Sequence, residues 1–191
     1  MRMEQKAEGT ISISFKSFWW RVMATHSVAY LFAGLIAQIS FNYENQFSTG
    51  FLETFMRPIT SPMVAWGAAL QLVNGFFMSL FLYPIRREIL GNFKLGWKKL
   101  ILLIIGFTVF APQIPGPGNL EGLIYTKIPV LDHIIGFPET ILYALFFSLG
   151  LINWYKYDKK WIKQVSIIFI ILILLMSVLA YLDSIGALPK Q

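Results

Sequence analysis

Cysteine is absent from the 191 residues. That excludes disulfides, thiol nucleophiles and Cys-ligated metals, and it leaves the redox compartment open. Histidine occurs twice, as His26 and His133. Asp132-His133, with Glu139 six residues on, supplies metal-ligand types, but no His-x-x-x-His or Glu-x-x-His spacing is present. No metal and no cofactor are expected. Charge is scarce too, at 14% Asp, Glu, Lys and Arg, against roughly 25% in a soluble domain. There is no Gly-x-Ser-x-Gly elbow, although His133 has Ser48 and Ser61 as hydroxyls on its side of the chain. The run Pro115-Gly116-Pro117-Gly118 lacks the Gly-x-x-x-x-Gly-Lys pattern of a phosphate loop. Alternating segments of about 10 residues, the mark of a membrane β-barrel, are missing. No internal repeat is visible.

What the chain does have is long apolar runs. Mean hydropathy is +0.61 and 56% of residues are hydrophobic. An apolar helix of about 20 residues spans a bilayer core of roughly 30 Å. The sequence therefore predicts an all-α, polytopic transmembrane bundle. Five spans are expected, at 22–41, 62–84, 98–114, 137–154 and 164–182. They follow a polar segment at 1–16, and the whole of 17–185 forms one membrane domain with a tail at 186–191. A cleaved signal peptide is rejected, because the first apolar run is too long and contains His26 and Gln38. Ser17–Arg21, with Phe18, Trp19 and Trp20, reads as an interfacial anchor.

The threading follows from charge. Thirteen of the sixteen Lys and Arg fall in alternate segments: Arg2, Lys6, Lys16 and Arg21, then Arg86, Arg87, Lys94, Lys98 and Lys99, then Lys156, Lys159, Lys160 and Lys163. Arg57, Lys127 and Lys190 fall on the opposite side. The positive-inside rule then puts the N-terminus in the cytoplasm and the C-terminus outside. The net charge of +6 is accounted for by topology and by anionic lipid at the cytoplasmic face, not by nucleic acid.

The uncharged stretch 61–84 is expected at the centre. Ser61 suits an N-cap and Pro62 the first helical position, while Pro84 closes the run. Gly67, Gln71, Gly75 and Ser79 recur every four residues and share one face. Span one offers a matching stripe, His26, Tyr30, Gly34 and Gln38, beside the small residues Thr25, Ala29, Ala33 and Ala37. The two faces are expected to pack together, with Gln71 and Asn74 finding partners across them. Gln71 is placed near mid-depth, and His26 one turn from the cytoplasmic end. Two meanings compete: helix-to-helix hydrogen bonding, or a proton or solute path with His26 as its titrating group.

A second polar set lies in the outer connections, 42–61 and 115–136. Glu53, Arg57, Glu121, Tyr125, Lys127, Asp132 and His133 are the candidate ligand-binding residues there. The plainer alternative is that they form ion pairs such as Glu53–Arg57 and Lys127–Asp132. Residues 51–57 are expected to make a short interfacial helix, and 123–136 an apolar segment on, or re-entering, the membrane surface. Pro138 is expected to open the fourth span. The Ile/Leu-rich fifth span reads as peripheral.

Two stretches carry a resemblance. Arg57-Pro58, Ser61-Pro62-x-Val64-Ala65-x-Gly67-x-x-x-Gln71 and Gly118-x-x-Glu121-Gly122-Leu123-Ile124-Tyr125-Thr126-x-Ile128-Pro129 resemble bacterial polytopic inner-membrane proteins of unknown activity. The resemblance implies a multi-pass protein of the bacterial plasma membrane and assigns no catalytic residue. Three functions are compatible with the residues. One is a small binding or transport module with a small-molecule or lipid ligand at the extracytoplasmic mouth. Another is an enzyme on an outer-leaflet lipid. The third is an assembly partner, alone or as a homo-oligomer, for another membrane protein.

Overall fold

Helix ends in this protein fall where short polar side chains and turn-forming backbones allow them. The computed structural model describes residues 13–49, 53–54, 56–112 and 114–188. Helix α1, Phe15–Phe41, starts at Ser14, whose hydroxyl accepts the Ser17 N–H, and stops at Asn42 in the left-handed region (φ +49°). Then come α2, Tyr43–Ser48, α3, Pro62–Ala65, and α4, Gly67–Leu82. Helix α5, Arg86–Leu90, is short. Helix α6, Phe93–Ile105, is capped by the Asn92 side chain, which accepts the N–H groups of Lys94 and Leu95. It runs into a π-helical turn, Gly106–Phe110. Asn119 caps α7, Leu120–Tyr125, by accepting the Gly122 N–H. The last two helices are α8, Val130–Tyr157, and α9, Lys160–Ser184. All regular structure among the described residues is helical.

Three of these helices, α1, α8 and α9, are long and apolar enough to cross a membrane. Several expected boundaries move. Helix α1 begins seven residues before position 22, because the Ser14 cap acts upstream of the aromatic anchor. The second apolar run is interrupted at Trp66, and Ser61 sits at the N-cap without a side-chain bond. The break leaves the Ala69 N–H free, and the Ser177 hydroxyl of α9 accepts it at 3.2 Å. The third run ends at Phe110, earlier than position 114. Pro138 lies inside α8 and does not open it. Proline removes one helical hydrogen bond, but packing of α8 along α1 and α6 carries the helix through. Residues 130–136, expected in a loop, are thus helical. The expected interfacial helix at 51–57 cannot be followed, since Phe51, Leu52 and Phe55 lie outside the described residues, as do 1–12 and 189–191.

Helices in a membrane gain little from hydrophobic burial against lipid, so close packing and polar contacts hold them. Helix α1 packs chiefly on α4 and α8. The buried residues of α4 are Gln71, Gly75 and Ser79, three of the four in the stripe read from sequence. On α1, Ala29, Ala33 and Ala37 are buried. Helix α9 buries Ser166, Ile170, Ile173 and Ser177, half-buries Ile162 against the core, and turns most of its other Ile and Leu side chains outward.

The start of α1 and the ends of α4 and α8 gather at one end. Phe18 meets the rings of Tyr83 and Tyr155 at 5.6 and 6.4 Å. Arg21 pairs with Asp158 at 2.5 Å and lies 4.4 Å over the Tyr155 ring. Helix α5 tucks Ile89 and Leu90 into the core there. At the opposite end Trp66 meets Tyr181 at 5.5 Å, and the 114–119 loop is fastened to α8.

Candidate functional site

A cleft of about 600 Å³ lies among α1, α4, α6, the π turn and α8. Three helices contribute its polar floor. His26 comes from α1, Gln71 and Asn74 from α4, and Tyr143 from α8. His26 Nε2 is 3.1 Å from Gln71 Oε1, and its Nδ1 is 2.6 Å from the Tyr143 hydroxyl. The amide of Gln71 is already oriented: its Nε2 donates to the Gly67 carbonyl at 3.3 Å, and its Oε1 accepts from Asn74 Nδ2 at 3.0 Å. An acceptor therefore faces His26 Nε2, which must carry the proton. The remaining Nδ1 of the neutral ring accepts, and the Tyr143 O–H donates. The same hydroxyl lies 3.6 Å from Met78 Sδ. It can turn to that sulfur if His26 becomes doubly protonated.

His26 is three turns into α1, level with Gln71, and not one turn from the helix start. The early start of α1 accounts for the difference. Close approach is possible because Gly75 faces α1 at this level. A Cβ on Gly75 would fall 2.8 Å from Met23 Cα and 3.2 Å from the His26 ring.

Further along the cleft stand Tyr30, Thr108, Thr140 and Glu139. The Tyr43 hydroxyl donates to Glu139 Oε2 at 2.5 Å. Burial, that hydrogen bond and the carboxylate's charge push the Tyr43 phenol well above its ordinary range, so it stays a donor. Glu139 Oε1 faces Gly34, where a Cβ would sit 3.8 Å away. The walls are aromatic and aliphatic. Phe81 and Phe107 are 75% and 66% exposed, so the cleft opens sideways between α4 and the π turn.

The expected stripe on α1 divides. His26 and Tyr30 line the cleft, whereas Gln38 is exposed beyond it. Gln71 and Asn74 both line it. The outer set is arranged differently. Glu53, Arg57, Tyr125 and Lys127 are exposed, and Glu121 and Asp132 are half-buried. Among the described residues the ion pairs are Arg21–Asp158 and Lys99–Glu88; the expected Glu53–Arg57 and Lys127–Asp132 pairs do not form. Glu53, Arg57 and Lys127 are exposed, and an exposed pair gains too little to offset the lost freedom of its side chains.

His133 is buried (2% exposed) and accepts the Gly118 N–H at Nδ1, 3.2 Å away. Among the described residues its Nε2 has no hydrogen-bond partner. Gly118 has φ +76°, and Gly122 packs so tightly on Gly116 that a Cβ would meet its carbonyl oxygen. His133 thus anchors the loop before α7 to the first turn of α8.

None of Glu53, Arg57, Glu121, Tyr125, Lys127, Asp132 and His133 lines the polar cleft or the second cavity. That second cavity is an apolar groove of about 460 Å³ among α1, α8 and α9. Among the described residues no group of three His, Asp or Glu side chains is placed to hold a metal ion.

Tyr143 and Glu139 belong to the cleft although neither was expected there. Their spacing of four residues on an apolar helix, with Thr140 beside them, is the signal that was available. Comparison with protein-family models, with curated proteins and with solved structures finds no match for this chain.

Proposed function

We propose that this chain is a small multi-pass membrane protein that binds, and carries or presents, a small amphiphilic molecule in the cleft between α1, α4 and α8. The observation that carries this reading is the wall of that cleft. His26, Gln71, Asn74 and Tyr143 form one hydrogen-bonded chain facing a cavity of about 600 Å³. Ligand sites are typically concave, mostly apolar and supplied with a few converging polar groups. Intramembrane polar residues that face a cavity are functional candidates by default. The binding position is thus moved inward from the extracytoplasmic mouth.

The membrane arrangement is part of the proposal. Helices α1, α8 and α9 supply three spans. Helices α3 and α4 together, and α6 with its π turn, supply a second and third crossing in chain order, giving five. The N-terminus is cytoplasmic and the C-terminus outside, in a bacterial plasma membrane. This orientation is supported by the meeting of α1's start, α4's end and the α8–α9 turn at one end. Those are the three segments that carry most of the basic residues. In this setting the sideways opening faces lipid, so the ligand enters from the bilayer.

Single cysteines test this cleanly, because the chain has none of its own. Thr108→Cys and Thr140→Cys should react in membranes with a small membrane-permeant maleimide, because the polar cleft lets the thiol ionise. Ile171→Cys, on the outward face of α9, should not. If the two cleft positions are as inert as Ile171→Cys, the polar cluster is helix packing only.

A further inference from the structure

We infer that the ligand of the cleft is a lipophilic organic cation, with Glu139 as its counter-charge; this rests on the cleft being a ligand site. Among the described residues, Glu139 is the only formally charged one lining the cavity. Among the described residues it has no ion-pair partner. One carboxylate oxygen accepts from Tyr43, and no hydrogen bond reaches the other among the described residues. A carboxylate held in a low-dielectric cleft is costly unless a positive charge accompanies it.

The remaining chemistry suits a cation with apolar substituents. Among the described residues no Lys or Arg lines the cleft to repel one. Tyr30 and Tyr143 stand 6.5 Å apart, edge to face, and line the same cavity as Glu139. Phe77, Phe81 and Phe107 complete the walls. Aromatic faces attract a desolvated cation, and the effect grows as water is excluded. An anion would meet the Glu139 charge, and a neutral molecule would leave that charge uncompensated. The Tyr30 hydroxyl and the Asn74 amide oxygen can then meet polar groups on the ligand, and Thr140 Oγ1, which donates to the Gly136 carbonyl, can still accept.

The test is calorimetric titration of the protein in phosphatidylcholine nanodiscs, with empty nanodiscs as baseline. Two probes of matched shape are used, methyltriphenylphosphonium and neutral triphenylphosphine oxide. The expected result is that the phosphonium binds at least tenfold more tightly than the oxide. Glu139→Gln should remove that preference and leave the oxide's affinity within about twofold. Equal affinity of the wild-type protein for both probes overturns the cation assignment and leaves the cleft reading standing. So does a phosphonium preference that survives Glu139→Gln. Failure of both probes to bind overturns the cleft reading itself, and the cation assignment with it. The wild-type comparison needs no variant, so it decides the matter even if Glu139→Gln does not fold.

Discussion

Gly75 of α4 sits directly against the backbone of α1 at Met23. A Cβ there would lie 2.8 Å from Met23 Cα and 3.1 Å from its carbonyl oxygen. Neither atom can step aside without moving a helix. This contact sets the distance at which His26 and Gln71 meet.

Gly75→Ala should therefore destabilise the protein by about 1–3 kcal/mol, the usual cost of overpacking, although alanine favours helices. Gly67→Ala, on the same face but with nothing within 4 Å of the added Cβ, should be neutral or slightly stabilising. Thermal melts in one detergent compare the two. Equal effects would mean that α1 and α4 do not approach closely at Gly75.

The His26–Gln71 bond should be measurable as a coupling. His26→Phe, Gln71→Leu and the double variant form a cycle, and the expected interaction energy is about 0.6 to 1.7 kcal/mol, the range for polar pairs inside membranes. Equilibrium unfolding in mixed micelles supplies the three values. Strict additivity would place the two side chains apart.

At the other end, Gly118 is in the left-handed region (φ +76°) and its N–H is held by His133. Gly118→Ala should cost about 1 kcal/mol or more. Leu→Ala-sized losses are not expected, because the loop sits at the surface of the bundle. The local effect should be larger than the global one: limited proteolysis between positions 112 and 120 should accelerate while the melting temperature moves little. His133→Phe should show the same pattern, since it removes the acceptor for Gly118. Cleavage rates unchanged from wild type would show that the loop is fastened elsewhere.

The pairing of α1 with α4 was legible because polar and small side chains are conspicuous in an apolar run. Gln71, Gly75 and Ser79 needed only the helical period to be placed on one face. The partnership with α8 was hidden. Tyr143 is an ordinary aromatic in a membrane helix, and Glu139 follows a proline that reads as a helix start. Tertiary packing overrode that local signal at Pro138, as it commonly does. The start of α1 was misplaced for a related reason: Phe18, Trp19 and Trp20 suit an interface, yet they are also part of the helix that Ser14 caps. Residue type cannot show that His133 turns inward to Gly118 while Asp132 remains half-buried beside it. That depends on where the loop from α6 returns, which no local pattern encodes.

Helices α1, α4 and α8 meet at His26. The chain's two histidines make it directly measurable: a ¹⁵N spectrum of protein labelled with ring-¹⁵N histidine in nanodiscs contains only the imidazoles of His26 and His133. The bond to Gln71 puts a proton on His26 Nε2. Its Nδ1 signal should shift in Tyr143→Phe and its Nε2 signal in Gln71→Leu, with His133 unmoved in both. A His26 spectrum indifferent to both substitutions would contradict the meeting of the three helices, and with it the cleft.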